Sequence, residues 1–154
     1  MPASLQFRDV AIRTLTAAAH LIGGDKVDRH SEASLIDLRR GFDAEFISAF
    51  SEIFNNISIH AYGNHATAGV VKIEISPGDD HLLVVIHDSG KSFDIDSVKP
   101  PELEALPEGG MGIHIARSCL DELVYTAGPP NEWRLTKYLT KNGIKERGTD
   151  ILDK

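Results

Sequence analysis

The sequence predicts an α+β fold, a two-layer arrangement in which helices cover one face of a mostly antiparallel sheet. Two early segments space their apolar residues as helices do. Two β-type runs then flank the turn residues Pro77, Gly78, Asp79 and Asp80, and two more flank Gly128, Pro129, Pro130 and Asn131. Helices and strands therefore come in separate groups, whereas a parallel α/β sheet would alternate them.

The first helix is expected over residues 5–22, where Phe7, Val10, Ile12, Leu15, Ala18, Ala19 and Ile22 make one apolar stripe. Gly23 and Gly24 stop it. Residues 25–37 are polar and mixed, and read as a loop with a short helical turn. The second helix is expected over 43–62, with Phe46, Phe50, Ile53 and Ile57 facing inward and Gly63-Asn64 closing it. Residues 70–76 alternate, placing Val71, Ile73 and Ile75 on one face of a strand. Residues 82–87 are a run of Leu, Val and Ile, the pattern of a buried central strand. These two should form an antiparallel hairpin. Residues 88–112 are rich in glycine, proline and acid, and so long a loop in a compact domain is usually functional. A short amphipathic helix follows over 113–123, then strands over 123–126 and 132–139. Residues 1–6 are too short to predict a strand. Residues 1–140 are expected to form one domain, with 141–154 as a polar C-terminal tail.

Composition narrows the function. A chain of 154 residues suits one domain with a substantial core. Its 16 basic and 23 acidic residues give a net charge of −7, which argues against a general nucleic-acid binder. A nucleotide remains compatible, because backbone amides and one metal ion can offset phosphate charge locally. Cys119 is the only cysteine, which excludes an intrachain disulfide and a cysteine-rich metal site; packing is its expected role. No apolar run reaches the roughly 18 to 20 residues of a membrane span. The start lacks a basic stretch leading into an apolar one, so a cytoplasmic location is expected.

Three pieces of sequence bear on chemistry. Glu52 and Asn56 lie four apart on the second helix and share a face at the edge of its apolar stripe. A carboxamide oxygen suits Mg²⁺, and a carboxylate beside it can polarise an attacking hydroxyl. The plainer reading of this pair is a solvated helix face. Asp88-Ser89-Gly90 follows the apolar strand directly. The carboxylate can accept a bond from an exocyclic amine, and Gly90 lets a flat base approach the backbone. The plainer reading here is an ordinary turn. Glu108 to Gly112 then runs into a helix, whose exposed amides and dipole favour phosphate; a hinge is the alternative. No Gly-Lys-Ser/Thr follows, so this is not a Walker loop.

In order and spacing these pieces resemble the GHKL ATPases. Glu52-x-x-x-Asn56, continuing to His60-Ala61-Tyr62, is similar to their N box. Asp88-x-Gly90 with Phe93-Asp94 is similar to the first glycine box, and Gly110-x-Gly112-Ile113 to the second. Among these proteins the bacterial anti-sigma-factor serine/threonine kinases share the most features, including a last strand ending like Thr136-Lys137. The resemblance spans residues 43–139.

It implies a Bergerat ATP-binding fold with ATP between helices and sheet. It implies Asn56 as the Mg²⁺ ligand, Asp88 as the adenine contact with Gly90 beside it, and Gly110, Met111 and Gly112 as the phosphate cradle. It implies Glu52 as the catalytic residue that activates a serine of a partner protein. That partner would be a small anti-sigma-factor antagonist, with a sigma factor as the competing partner. A homodimer is also compatible, although residues 1–6 are short for the first strand that often builds the family's dimer surface. Two further departures stand out. The lid, residues 95–108, carries no arginine, and Pro129-Pro130-Asn131 stands where a Gly-Thr pair is usual. An ATP-binding sequestering switch that transfers nothing, and a histidine-kinase catalytic fragment, are the competing readings. Outside the three pieces, His60 is expected to be packed or capping, His87 to face away from Asp88, and Phe93 and Trp133 to be core.

Overall fold

A computed structural model describes residues 1–22, 41–63, 69–95 and 111–139. The expected loop at 25–37, the lid beyond residue 95, Gly110 and the polar tail lie outside these residues.

Helix α1 (Arg8–Ala19) is entered through a 3₁₀ turn, Leu5–Phe7. Its buried arc is Ala11, Ile12, Leu15, Thr16 and Ala19. Thr16 is tolerated there because its hydroxyl donates to the Ile12 carbonyl at 2.9 Å. Val10, expected in the stripe, is 57% exposed. It lies two positions before Ile12, about 200° around a helix, so both cannot face inward.

Helix α2 (Gly41–Asn56) buries Phe46, Phe50 and Ile53 as expected, together with Ala49 and Phe54. It does not run on unbroken to residue 62. The chain widens at once into a π-helical turn, Ile57–Ala61, and Gly63 closes the segment with φ 66°.

Four strands form one sheet in the order β1-β2-β4-β3, with every neighbouring pair antiparallel. They are β1 (Lys72–Pro77), β2 (His81–Asp88), β3 (Glu122–Thr126) and β4 (Asn131–Tyr138). The β1–β2 hairpin is the expected one; its turn is held by the Gly78 amide donating to the His81 carbonyl at 2.8 Å. Register sets the two faces. Leu82, Val84, Ile86 and Asp88 pair across with Lys137, Leu135, Trp133 and Asn131, and this row faces the helices. The apolar members join one core with α1, α2 and α3. The other face carries Lys72, Glu74, His87, Glu132 and Arg134 in a string of ion pairs. Helices on one side and charge on the other give the predicted α+β class.

Helix α3 (Gly112–Cys119) ends four residues before the expected boundary. Leu120 is already extended, and Leu123 pairs with Leu135 in the sheet. The spacing predicts Leu120 in the helix and leaves Leu123 to either element, because apolar residues three apart fit both destinations. Residues 1–3 do pair, although too briefly for a strand. Pro2 bridges Val70, the Ala3 amide donates to the Gly69 carbonyl at 2.8 Å, and the Val71 amide to the Met1 carbonyl at 2.9 Å. Among the described residues no helix is long and apolar enough to cross a membrane.

Candidate active site

The site is assembled around the end of α2. Glu52 and Asn56 occupy one face of its last turns, and both are half-buried. The first residue of α3 lies directly against them. A Cβ placed on Gly112 would stand 2.6 Å from Glu52 Oε2, 3.5 Å from Glu52 Cβ and 3.6 Å from Asn56 Nδ2. Among the described residues neither the acid nor the amide is engaged in a hydrogen bond or ion pair. The fold thus brings together a free carboxylate, a free carboxamide and a helix N-terminus, whose first amides have no partner within the helix. Met111 caps that helix and is exposed. Gly110 is outside the described residues.

The second half lies at the end of the sheet. Asp88 is the last residue of β2 and is only 2% exposed. Its Oδ1 accepts the Gly90 amide at 2.9 Å and the Asn131 side-chain amide at 3.0 Å. Among the described residues its Oδ2 accepts none. Gly90 is in contact with the π-helical turn: a Cβ there would meet Ala61 Cβ at 2.6 Å, Ala61 O at 2.8 Å and Ala61 C at 3.0 Å. The Lys91 amide donates to that same Ala61 carbonyl at 3.1 Å. The π turn therefore joins the two halves. Asn56 opens it beside Gly112, and Ala61 ends it against Gly90. Widened turns of this kind are frequent at functional sites.

Aromatic residues secure the loop after Asp88. The Tyr62 hydroxyl accepts the Ser89 amide at 2.9 Å, and the Tyr125 hydroxyl accepts the Phe93 amide at 2.9 Å. Phe93 packs on Trp133 and Tyr125, each with centroids 6.3 Å away, and Tyr125 lies 4.3 Å from Trp133. Trp133 is a core residue, as expected, while Phe93 is half-buried and packs against the core from outside. Of the histidines, His87 faces away from Asp88, between Glu74 and Glu132 at 3.8 Å each. His60 is exposed, not packed, in the last part of the π turn. Lys137 lies on the Asp88 face but at the far end of its row, where its ammonium binds Glu45 and the Cys119 carbonyl. It ties the start of α2 to the end of α3 and stands apart from the site. Among the described residues no group of three or more His, Cys, Asp or Glu side chains could hold a metal ion.

Sequence reasoning missed Asn131, Tyr62 and Tyr125 as structural parts of this loop. Asn131 read as a turn residue after two prolines. Alternation from Trp133 and Leu135 does place it on the inner row, but its pairing with Asp88, 43 residues away, is a matter of register.

A profile of the histidine kinase-like ATPase domain matches residues 9–137. The chain belongs to this family. Within the histidine kinase-like ATPases it is similar to the serine-protein kinase RsbW of Staphylococcus aureus, with 30% identity over 111 residues, 67% of this chain and 70% of the relative. RsbW of Staphylococcus aureus strain JH9 is 29% identical over the same share. Among solved structures, the histidine kinase domain of the Erythrobacter litoralis EL346 blue-light activated histidine kinase superposes with a TM-score of 0.49 at 24% identity, covering 64% of this chain and 45% of that one. The profile match bears out the GHKL resemblance. Magnesium-bound ATP fits the residues present. Asn56 and Glu52 supply hard oxygens that no other described residue engages, and the two glycines lie where a side chain would crowd the site.

Proposed function

We propose that this histidine kinase-like ATPase domain binds Mg-ATP and phosphorylates a serine or threonine of a small partner protein. The observation that carries the reading is the convergence of Glu52, Asn56 and Gly112, one π turn away from Asp88 and Gly90. When bound, Mg-ATP supplies the transferable phosphoryl group and a divalent charge that offsets the phosphates. Asn56 would hold the ion through its carboxamide oxygen, with Gly110, Met111 and Gly112 presenting backbone to the phosphates. Asp88 accepts the exocyclic amine of the base, and Gly90 leaves room for its plane. Glu52 orients the acceptor hydroxyl and takes its proton. The similarity to a serine-protein kinase supports a serine acceptor, and the motifs' resemblance to the anti-sigma-factor kinases supports an anti-sigma-factor antagonist as that acceptor and a sigma factor as competing partner, in a cytoplasmic partner switch.

The deciding experiment incubates the protein with labelled ATP and candidate antagonists. We expect Glu52→Gln to keep ATP affinity within about threefold and to slow transfer by about 10² to 10⁴-fold, the usual worth of a positioned base. Normal transfer by this variant would remove Glu52 from the role. A second reading, an ATP-binding sequestering switch without transfer, is favoured by one observation: the lid lacks an arginine to assist the phosphates. In that case the wild-type protein binds ATP in calorimetry and yields no phosphoprotein with any antagonist.

A further inference from the structure

We infer that Asn131 is a positioning residue that sets base specificity, by holding Asp88 so that a single carboxylate oxygen is left to read one N–H donor. This rests on the ATP-binding reading above and adds to it the residue that makes the pocket selective.

The carboxamide of Asn131 is 1% exposed and completely used. Its Oδ1 accepts the Ser92 hydroxyl at 2.8 Å and the Gly128 amide at 3.1 Å. Its Nδ2 donates to Asp88 Oδ1 at 3.0 Å and to the Gly90 carbonyl at 3.1 Å. An asparagine has two acceptor sites and two donor hydrogens, so all four capacities are filled. The partners also fix which way round the amide lies. The Gly128 amide can only donate and the Gly90 carbonyl can only accept, so the flipped amide would lose both bonds.

The consequence falls on Asp88. A carboxylate held by one backbone amide can rotate and offer either oxygen to a ligand. Here two donors from different segments, Gly90 and Asn131, converge on Oδ1. Rotation would break both bonds in a buried site, where unmade bonds are costly. Oδ2 is left as the single acceptor for a ligand. An acceptor-only group pairs with the 6-amino group of adenine and faces the 6-oxo group of hypoxanthine unfavourably. Sites built around a buried hydrogen bond reject analogues that lack it far better than apolar pockets reject a missing methylene. Because Asn131 also holds the Gly90 carbonyl and Ser92, the loop that flanks the base keeps its shape along with the carboxylate.

The test compares the affinities of ATP, inosine triphosphate and purine riboside triphosphate, which lacks any group at C6, by calorimetry on the wild-type chain and two variants. Asn131→Asp keeps the shape and the acceptor for Ser92 and Gly128, and replaces the donor facing Asp88 by an acceptor. Asn131→Leu removes both. The wild type should prefer ATP to purine riboside triphosphate by about tenfold or more, and ATP to inosine triphosphate by at least as much. In each variant these ratios should fall to within about threefold, through loss of ATP affinity, while purine riboside triphosphate binds about as before. A purely structural role would weaken all three nucleotides together and leave the ratios intact, and that result overturns the inference. Should Asn131→Leu fail to fold, Asn131→Asp carries the test. Equal wild-type affinity for ATP and purine riboside triphosphate overturns the inference while ATP binding stands, whereas a wild type that binds no ATP removes the underlying reading as well.

Discussion

The Asp88 end and the Glu52 end of the site share one frame, the α2–π-turn segment, yet they are built in opposite ways. At Asp88 the polar groups are deeply buried and tied to one another, and the glycine there touches the Ala61 backbone. At Glu52 the acid and the amide are half-buried and have no partner among the described residues, and a Cβ on the glycine there would clash only with the tip of a side chain. A recognition element gains from being set before its ligand arrives, since no ordering cost then falls on binding. A group that must orient a hydroxyl or hold an ion cannot be committed elsewhere beforehand. Among the described residues, one region is therefore rigid by saturation and the other adaptable by lack of partners. The same substitution, glycine to alanine, distinguishes them.

Gly90→Ala should have the largest effect on stability. The new methyl would sit 2.8 Å from the Ala61 carbonyl oxygen and 3.0 Å from its carbon. Neither atom can turn aside, because the carbonyl also accepts the Lys91 amide. Overpacking of this kind costs about 1 to 3 kcal/mol, which in a chain of this size lowers the melting temperature by roughly 3 to 10 °C. Discrimination between ATP and inosine triphosphate should fall with it, as the loop shifts relative to Asp88. A melting curve that superposes on wild type would show that the Asp88 end yields as easily as the other.

The two regions also differed in how well the sequence revealed them. Glu52, Asn56 and the apolar stripe of α2 are legible because helical spacing is local: residues four apart must share a face. The β1–β2 hairpin is legible for the same reason, through alternation and a four-residue turn. The Asp88 network is not. Asp88 meets Asn131 because two strands pair in one register of several that alternation alone permits, and Ala61 meets Gly90 because α2 widens into a π turn that no local pattern announces. The early end of α3 was hidden because Leu120 is apolar for the core and Leu123 for the sheet, at a spacing that also suits a helix.

Gly112→Ala should be nearly silent in stability and loud in function. The 2.6 Å contact is with Glu52 Oε2, the far end of a flexible side chain, which can swing away at little cost. Alanine is also favoured over glycine within a helix by up to about 1 kcal/mol, so the melting temperature should stay put or rise slightly. On the proposed mechanism the displaced carboxylate would no longer stand where the acceptor hydroxyl needs it. A misplacement of about 1 Å can cost around 100-fold in rate, so phosphoryl transfer should drop by one to two orders of magnitude. Rate and melting temperature measured on one preparation decide the matter. A fall in both together would mean that the Glu52 end is as tightly braced as the Asp88 end.

The outer face of the sheet gives the smallest effect and bounds the comparison from outside. Lys72 hydrogen-bonds Glu74 and stands beside it as a positive charge, and His87 adds a weaker pull. Together they hold the Glu74 carboxyl below its ordinary value of 4.5, against a small opposing effect of desolvation. A carboxylate depressed in the folded state adds stability above its unfolded value, and that increment is lost as pH falls through the folded value. Any difference between wild type and Lys72→Gln should therefore be present at neutral pH and vanish in acid below 4.5. It should also be slight, because the pair is solvent-exposed and screened. In a carboxyl titration by NMR, Glu74 of the variant should move up toward its ordinary value. ATP affinity should not change, since the pair lies on the face opposite Asp88 and Asn131. A Lys72→Gln protein with normal melting but weakened ATP binding would show that nucleotide recognition reaches through the sheet, and the contrast between two inner regions would no longer describe the whole site.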